Sequence, residues 1–147
     1  MKLTKAGKHY EFQLSSREKD LLRHVLSLYP KIPAGYQRLS KGSSQEQNQQ
    51  LLDDALAETR AKNRARLDSF LEHKHLKQEE NGWHLRISRE DMEWLLEVLN
   101  DVRVGSWLRM GSPEPPINNL APEAAPDLWA MELAGYFQMA FLELLDG

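Results

Sequence analysis

Residues 9–29 read HYEFQLSSREKDLLRHVLSLY, and two periodic patterns follow each other within them. Its first six residues alternate between polar and apolar side chains, a pattern typical of a strand with one buried face. Ser15 and Glu18 then have the spacing of a capping box, in which each side chain binds a free backbone N–H at the start of a helix. The leucines and the valine that follow recur at helical spacing. The stretch therefore predicts a strand followed by an amphipathic helix that ends at Pro30.

The same pattern occurs again 73 residues later, in residues 83–102 (WHLRISREDMEWLLEVLNDV). The inward strand residues, the capping serine and the apolar stripe of the helix coincide in the two copies, so that Ser88 stands where Ser15 stands in the first. Packing the two units together would bury both apolar strand faces. Because two lone parallel strands are uncommon, the sequence predicts two antiparallel strands related by a pseudo-twofold axis.

The remaining segments predict two further helices and two loops. A charged, glutamine-rich helix is expected from about Ser44 into the low seventies, and a last helix begins near Asp127. Loops are expected at about residues 30–44 and 111–126, and the second holds five of the seven prolines. The sequence thus predicts one α+β domain over residues 1–147, mostly α, with about four helices packed on a small two-stranded antiparallel sheet.

The composition limits the class of protein. A chain of 147 residues that is 41% apolar and 28% charged suits a single domain with a packed core. The chain has no cysteine, which removes disulfides, thiolate nucleophiles and cysteine-based zinc sites. No apolar run reaches the roughly 18 residues of a transmembrane helix, and no apolar segment follows the lysines at the N-terminus. We therefore expect a cytoplasmic protein with no membrane partner and no cofactor.

Charge is distributed unevenly along the chain. All 19 Lys and Arg residues lie within residues 1–109, together with 16 of the 22 Asp and Glu residues, so this part carries +3 and the remainder −6. Such polarity commonly reflects faces that pair within a fold. The net charge of −3 gives no support to a nucleic-acid binder that uses the whole domain.

A polar cluster interrupts the apolar stripe of the third helix at Asn100, Asp101 and Arg103. Charged groups among apolar residues occur both as buried pairs and as functional sites. In the structural interpretation, Asp101 or Glu132 pairs with Arg103 and locks two helices together, and Gly105 marks the close approach of another helix. In the alternative, Asn100, Asp101 and Arg103 open into a pocket and form the centre of an enzyme.

A local basic stretch lies in the second helix, at Arg60, Lys62, Arg64 and Arg66. Arg60 and Arg64 share one helical face, and Lys62 and Arg66 share another. A nucleic-acid site would rather show one continuous stripe with aromatic side chains. The pattern favours an ion-paired, solvated face. It leaves open a nucleic-acid-binding regulator that uses residues 60–77, and docking to the acidic C-terminal third of this chain or of a second copy.

Metal and catalytic motifs are not recognisable. His73 and His75 are two residues apart, so they point to different sides of a helix, and no three of His73, His75, Glu79 and His84 have a spacing suited to zinc. The chain also lacks phosphate-binding glycine loops and a nucleophile elbow. The sequence therefore predicts no metal, no catalytic residues and no enzyme.

The last helix is unusually aromatic, with Trp129, Tyr136 and Phe137 on its main apolar stripe. Met131, Met139 and Leu145 lie off that stripe. Because a helix that is apolar on more than one side is buried on more than one side, the second burial is expected in a twofold contact between two copies. The helix thus predicts a homodimer.

A short motif in the third helix resembles a known family. Residues 99–103 (LNDVR) and the leucine-rich helix before them are similar to part of an uncharacterised bacterial family, domain of unknown function twenty-seventeen. Residues 107–109 (WLR) stand where that family tends to carry a short polar-Arg-Leu run, and the proline-rich loop departs from the pattern. The resemblance covers the last third to half of the chain. The family has no assigned activity, and the proximity of its genes to the Clp-protease adaptor in actinobacteria implies a loose link to regulated proteolysis.

These observations predict a non-enzymatic protein-interaction adaptor or regulator with a protein partner. Its candidate structural or interaction residues are Asn100, Asp101, Arg103, Arg109, Trp129, Tyr136 and Phe137.

Overall fold

Two β-hairpins, each followed at once by a helix, form the framework of the chain. The computed structural model describes residues 1–33, 43–70, 72 and 75–146. Its elements are β1 (Lys2–Ala6), β2 (His9–Leu14), α1 (Ser16–Ser27), α2 (Ser43–Ser69), β3 (Leu76–Glu79), β4 (Gly82–Ser88), α3 (Arg89–Arg109) and α4 (Ala125–Asp146), with a short 3-10 helix at Pro122–Ala124. Most of the predicted loop at 30–44 lies outside the described residues.

The sheet has four antiparallel strands in the order β1-β2-β4-β3, so the prediction of a two-stranded sheet is wrong. The two predicted strands, β2 and β4, form the central antiparallel pair. Their register places Phe12 opposite Leu85, the two residues that the offset of 73 equates. The strands that the sequence did not reveal, β1 and β3, are short edge strands. Edge strands are commonly short and charged, as the two lysines of β1 illustrate, so they carry little hydrophobic pattern.

The helix starts follow from their caps. The Ser15 hydroxyl accepts a hydrogen bond from the Glu18 N–H, and the Glu18 carboxylate accepts one from the Ser15 N–H. The predicted capping box is therefore confirmed. At the start of α3, the Ser88 hydroxyl accepts a hydrogen bond from the Asp91 N–H. Each cap fixes the residue at which a strand ends and the next helix begins.

The core lies between the inner face of the sheet and the helices. Strand residues with inward side chains, such as Phe12 and Leu85, are almost fully buried. The α4 helix packs along α3 and reaches the sheet, where the rings of Phe12 and Phe141 lie 4.9 Å apart between their centroids. Among the described residues, no helix is long and apolar enough to cross a lipid bilayer.

Candidate functional site

The chain between α1 and α2 passes directly over α3. We call residues 28–33 the junction segment. A Cβ atom at Gly105 would lie 2.6 Å from the Ile32 nitrogen and closer still to the carbonyl carbon of Lys31. Gly105 therefore marks a close approach, as expected, but what approaches it is the junction segment and not another helix.

Asp101 holds this segment in place. Its Oδ1 atom accepts hydrogen bonds from the backbone N–H groups of Lys31, at 2.6 Å, and Ile32, at 3.4 Å. Burial raises the pKa of the Asp101 carboxyl group, against the opposing effect of these two hydrogen bonds and of the charge on Arg60. Asp101 thus satisfies backbone donors and does not pair with Arg103.

The basic residues of α2 bind the same part of the chain from the other side. Arg60 donates to the carbonyl oxygen of Ile32 at 2.8 Å. Arg64 donates to the carbonyl oxygens of Ser27 and Tyr29, both at 3.2 Å. A cation that binds the last carbonyls of a helix is favoured by the helix dipole. These two arginines therefore fasten α2 to the end of α1.

Arg66 also turns inward. Its guanidinium lies 4.0 Å from the centroid of the Trp94 ring and donates to the Asp91 carboxylate at 2.8 Å. Lys62 is different, because it is exposed and pairs only with Glu58 one turn away among the described residues. The basic stretch is thus mostly engaged within the fold, and it does not form a continuous positive stripe. His73 and Lys74 lie outside the described residues.

A largely buried ion pair links the junction segment to α4. The Lys31 ammonium lies 2.7 Å from the Asp127 carboxylate, and the Arg109 guanidinium lies 3.5 Å from the same carboxylate oxygen. Arg109 thus contacts the first turn of α4 through an exposed side chain. The structure gives it a helix-to-helix contact.

Asn100 and Arg103 lie away from these contacts. Arg103 is exposed and donates to the side-chain oxygen of Asn100 at 3.1 Å. Its aliphatic stem lies beside Gly135, with Cδ 3.8 Å from the position of an added Cβ. The predicted ion pair with Asp101 or Glu132 is not formed among the described residues. Because Asp101 faces the junction segment, the three side chains do not converge on one point.

The outer face of the sheet carries a shallow polar depression of about 560 Å³. It is lined by His9, His75, Lys77, Glu79, His84, Arg86, Ser88 and Asp91. Within this depression His84 is flanked by two carboxylates, since Glu11 and Glu79 lie 3.8 Å and 4.0 Å from the ring nitrogens of His84. Among the described residues, no group of three His, Cys, Asp or Glu side chains could hold a metal ion.

The α4 helix exposes large apolar side chains on the side opposite the core. Phe137 and Phe141 are fully buried, whereas Trp129 is 42% exposed and Tyr136 is 52% exposed. Trp129 and Tyr136, expected in the core stripe, therefore lie at its edge. Tyr136 faces outward, and the ring of Trp129 packs on one side against that of His24, with the centroids 5.2 Å apart. Met139 and Leu142 are 65% and 43% exposed. Exposed apolar surface of this kind commonly marks a site of interaction with another molecule.

Exposed carboxylates lie among these apolar groups. We define the outer face of α4 by seven residues: Trp129, Glu132, Tyr136, Met139, Leu142, Glu143 and Asp146. The ion pairs that α4 makes within the described part of the chain run through Asp127, at the other end of the helix from Asp146. The outer face is thus both apolar and acidic, and it is the surface best suited to a partner.

The sequence pattern predicts the aromatic members of this surface but not its acidic ones. It indicates Glu132 only as a partner of Arg103, and Glu143 only as part of the negative charge after Arg109. A helical projection of α4 would have shown both carboxylates between Tyr136 and Met139. The contacts of Lys31 with Asp127, and of Asn63 with Tyr29 and Trp94, in contrast, depend on long-range packing and have no local signal.

Comparison of the chain with protein-family models, with curated proteins and with solved structures gives no match.

Proposed function

We propose that this protein is a non-enzymatic interaction module whose outer face of α4 binds another protein. The observation that carries the proposal is the exposure of Trp129, Tyr136, Met139 and Leu142 on a helix whose opposite face is fully buried. Water contact with this much apolar surface is unfavourable by roughly 25 cal/mol per Å². Covering the outer face would therefore supply a driving force for association.

The contacts around Asp101 favour interaction over catalysis. Asp101 and Arg60 are bound to the backbone of the junction segment, and Lys31 is bound to Asp127. Arg103 reaches only Asn100. These groups hold the junction segment against α2, α3 and α4. The rigid support that results keeps α4 in a fixed position for a partner.

Binding of nucleic acid through residues 60–77 has weaker support. Arg60 and Arg64 donate to backbone carbonyls, and Arg66 is held between Trp94 and Asp91. Phosphate recognition depends on Lys and Arg side chains that are free to displace the counterions condensed on the nucleic acid. A link to regulated proteolysis rests on the family resemblance alone and stays a prediction.

Site-specific photo-crosslinking in the native cell tests the proposal. A benzophenone amino acid replaces Tyr136 in one variant and Gln13, on the outer face of the sheet, in a matched control. We expect a discrete protein adduct from position 136 that disappears when Met139→Asp is added, and no such adduct from position 13. The same adducts from both positions, or none from position 136, would contradict the proposal.

A further inference from the structure

The residues on the outer face of α4 follow the spacing of a helix–helix seam. Trp129, Glu132, Tyr136, Met139, Glu143 and Asp146 are separated by alternating steps of three and four residues. This is the spacing at which side chains of one helix meet those of a second helix packed along it. The geometry therefore suits a helical partner segment better than an extended strand.

The carboxylates on this seam argue against a second copy as the occupant. When two α4 helices lie antiparallel along the whole seam, Glu132 of one copy faces Glu143 of the other. In a parallel arrangement each carboxylate faces its own counterpart. Like charges placed opposite each other across an interface strongly disfavour the pairing. Self-association along the outer face is thus opposed by its own charge.

The part of the sequence that contains α4 is negatively charged as well. No Lys or Arg follows Arg109, and the outer face contributes three of the six carboxylates after that residue. A partner with lysines or arginines beside its own apolar stripe would pair with Glu132, Glu143 and Asp146 while covering Tyr136 and Met139.

We infer that the outer face of α4 binds a basic amphipathic helix of a partner protein. This inference rests on the proposed function and names the chemistry of the partner. It differs from the homodimer that the sequence predicts, because the apolar surface expected between two copies is flanked by carboxylates that the same face of a second copy cannot neutralise.

Two synthetic peptides test the inference with the purified full-length chain. Both are amphipathic helices of about 18 residues with a leucine seam; one carries lysines beside the seam and the other carries glutamates. Fluorescence anisotropy measures the Kd of each labelled peptide. We expect the lysine peptide to bind, its Kd to rise about tenfold or more between 50 and 300 mM salt because exposed charges are screened, and the glutamate peptide not to bind.

Two charge-reversal variants separate this seam from a general attraction to an acidic protein. The double variant Glu132→Lys, Glu143→Lys should raise the Kd of the lysine peptide at least about tenfold and allow the glutamate peptide to bind. Glu79→Lys with Glu80→Lys, on the β3–β4 hairpin, makes the same change in net charge and should leave the Kd unchanged. Met139→Asp should raise the Kd of the lysine peptide as well.

The outcomes that overturn the inference are distinct. Equal binding of both peptides, or equal losses in the two charge-reversal variants, would show that the seam does not select a basic helix. A dimer in sedimentation that Met139→Asp dissociates would assign the outer face to a second copy. If no peptide binds but position 136 still gives its specific adduct, this inference fails and the proposed function stands; if the adduct is also missing, both fail.

Discussion

At the scale of single residues, the close passage of the junction segment over α3 leaves no room for a side chain at position 105. We predict that Gly105→Ala destabilises the protein by about 1–3 kcal/mol, the usual cost of forcing an extra methyl group into packed structure. The added Cβ would meet backbone atoms of Lys31 and Ile32, which cannot move aside as a flexible side chain can. Urea denaturation measures the change in the free energy of unfolding.

Gly135 provides the matched control on a neighbouring helix. An added Cβ there would make an ordinary contact, 3.8 Å from the Cδ atom of Arg103. Because alanine favours a helix interior over glycine by up to about 1 kcal/mol, Gly135→Ala should leave stability unchanged or raise it. Equal effects of the two substitutions would contradict the close approach at Gly105.

The raised pKa of Asp101 predicts a dependence of stability on pH. The folded state binds a proton at this carboxyl group more readily than the unfolded chain, whose ordinary value is 3.8. The stabilisation that protonation gives is therefore complete below that value and is lost as the pH rises through the higher pKa of the folded state. We expect the stability of the wild type to fall, relative to Asp101→Asn, as the pH rises over this interval.

Asparagine keeps an acceptor for the N–H groups of Lys31 and Ile32 but cannot ionise. Asp101→Ala removes the acceptor, and it should be less stable than Asp101→Asn at every pH, by roughly 1–3 kcal/mol for unsatisfied donors. The measurement is urea denaturation of the three proteins at a series of pH values. A wild type that gains stability relative to Asp101→Asn as the pH rises would show that the pKa of Asp101 is lowered instead.

At the scale of elements, α2 depends on polar contacts more than on an apolar stripe. Leu67 and Phe70 are buried at its C-terminal end, and Asn63 bridges the Tyr29 hydroxyl and the Trp94 indole. We predict that Arg64→Ala destabilises the protein by about 1–2 kcal/mol, because the carbonyls of Ser27 and Tyr29 lose a charged donor.

Lys62→Ala is the control for this prediction, since Lys62 lies two residues away, carries the same charge and is exposed. The ion pair of Lys62 with Glu58 should contribute less than about 1 kcal/mol to the free energy of unfolding. Thermal and urea unfolding of both variants measure the difference. If Lys62→Ala destabilises as much as Arg64→Ala, the contacts of Arg64 with the end of α1 do not fasten α2.

The elements also show how far the sequence could be interpreted. The caps at Ser15 and Ser88 and the alternation of β2 and β4 are local patterns, and they predicted the two strand–helix units directly. β1 and β3 were not predicted, because a short edge strand such as Leu76–Glu79 needs only one paired neighbour and one inward residue. The division of α4 into a buried and an exposed face was not predicted for another reason. Trp129 and Tyr136 lie on the border of the apolar stripe, where tertiary packing and not periodicity decides burial.

At the scale of the whole molecule, both hairpin–helix units and α4 share one core. Phe12 on β2 contacts the ring of Phe141 on α4, and Trp94 on α3 contacts Phe70 at the end of α2. The acidic end of the chain is joined to the basic part by Lys31 and Asp127. Such continuity means that no hairpin–helix unit can lose its packing without exposing the apolar face of the other.

The shared core predicts a single cooperative unfolding transition. Trp83, Trp94, Trp107 and Trp129 lie on β4, on the two halves of α3 and on α4, so fluorine NMR of the protein labelled with fluorotryptophan monitors each region separately in one sample. We expect all four native resonances to disappear at the same urea concentration, as in two-state unfolding of a small domain. Phe12→Ala should cost about 3–5 kcal/mol and shift all four midpoints together, because its cavity opens at the centre of the shared core. A Trp129 resonance that disappears at a lower urea concentration than that of Trp83 would show that α4 unfolds independently of the sheet, and the chain would then consist of more than one cooperative unit.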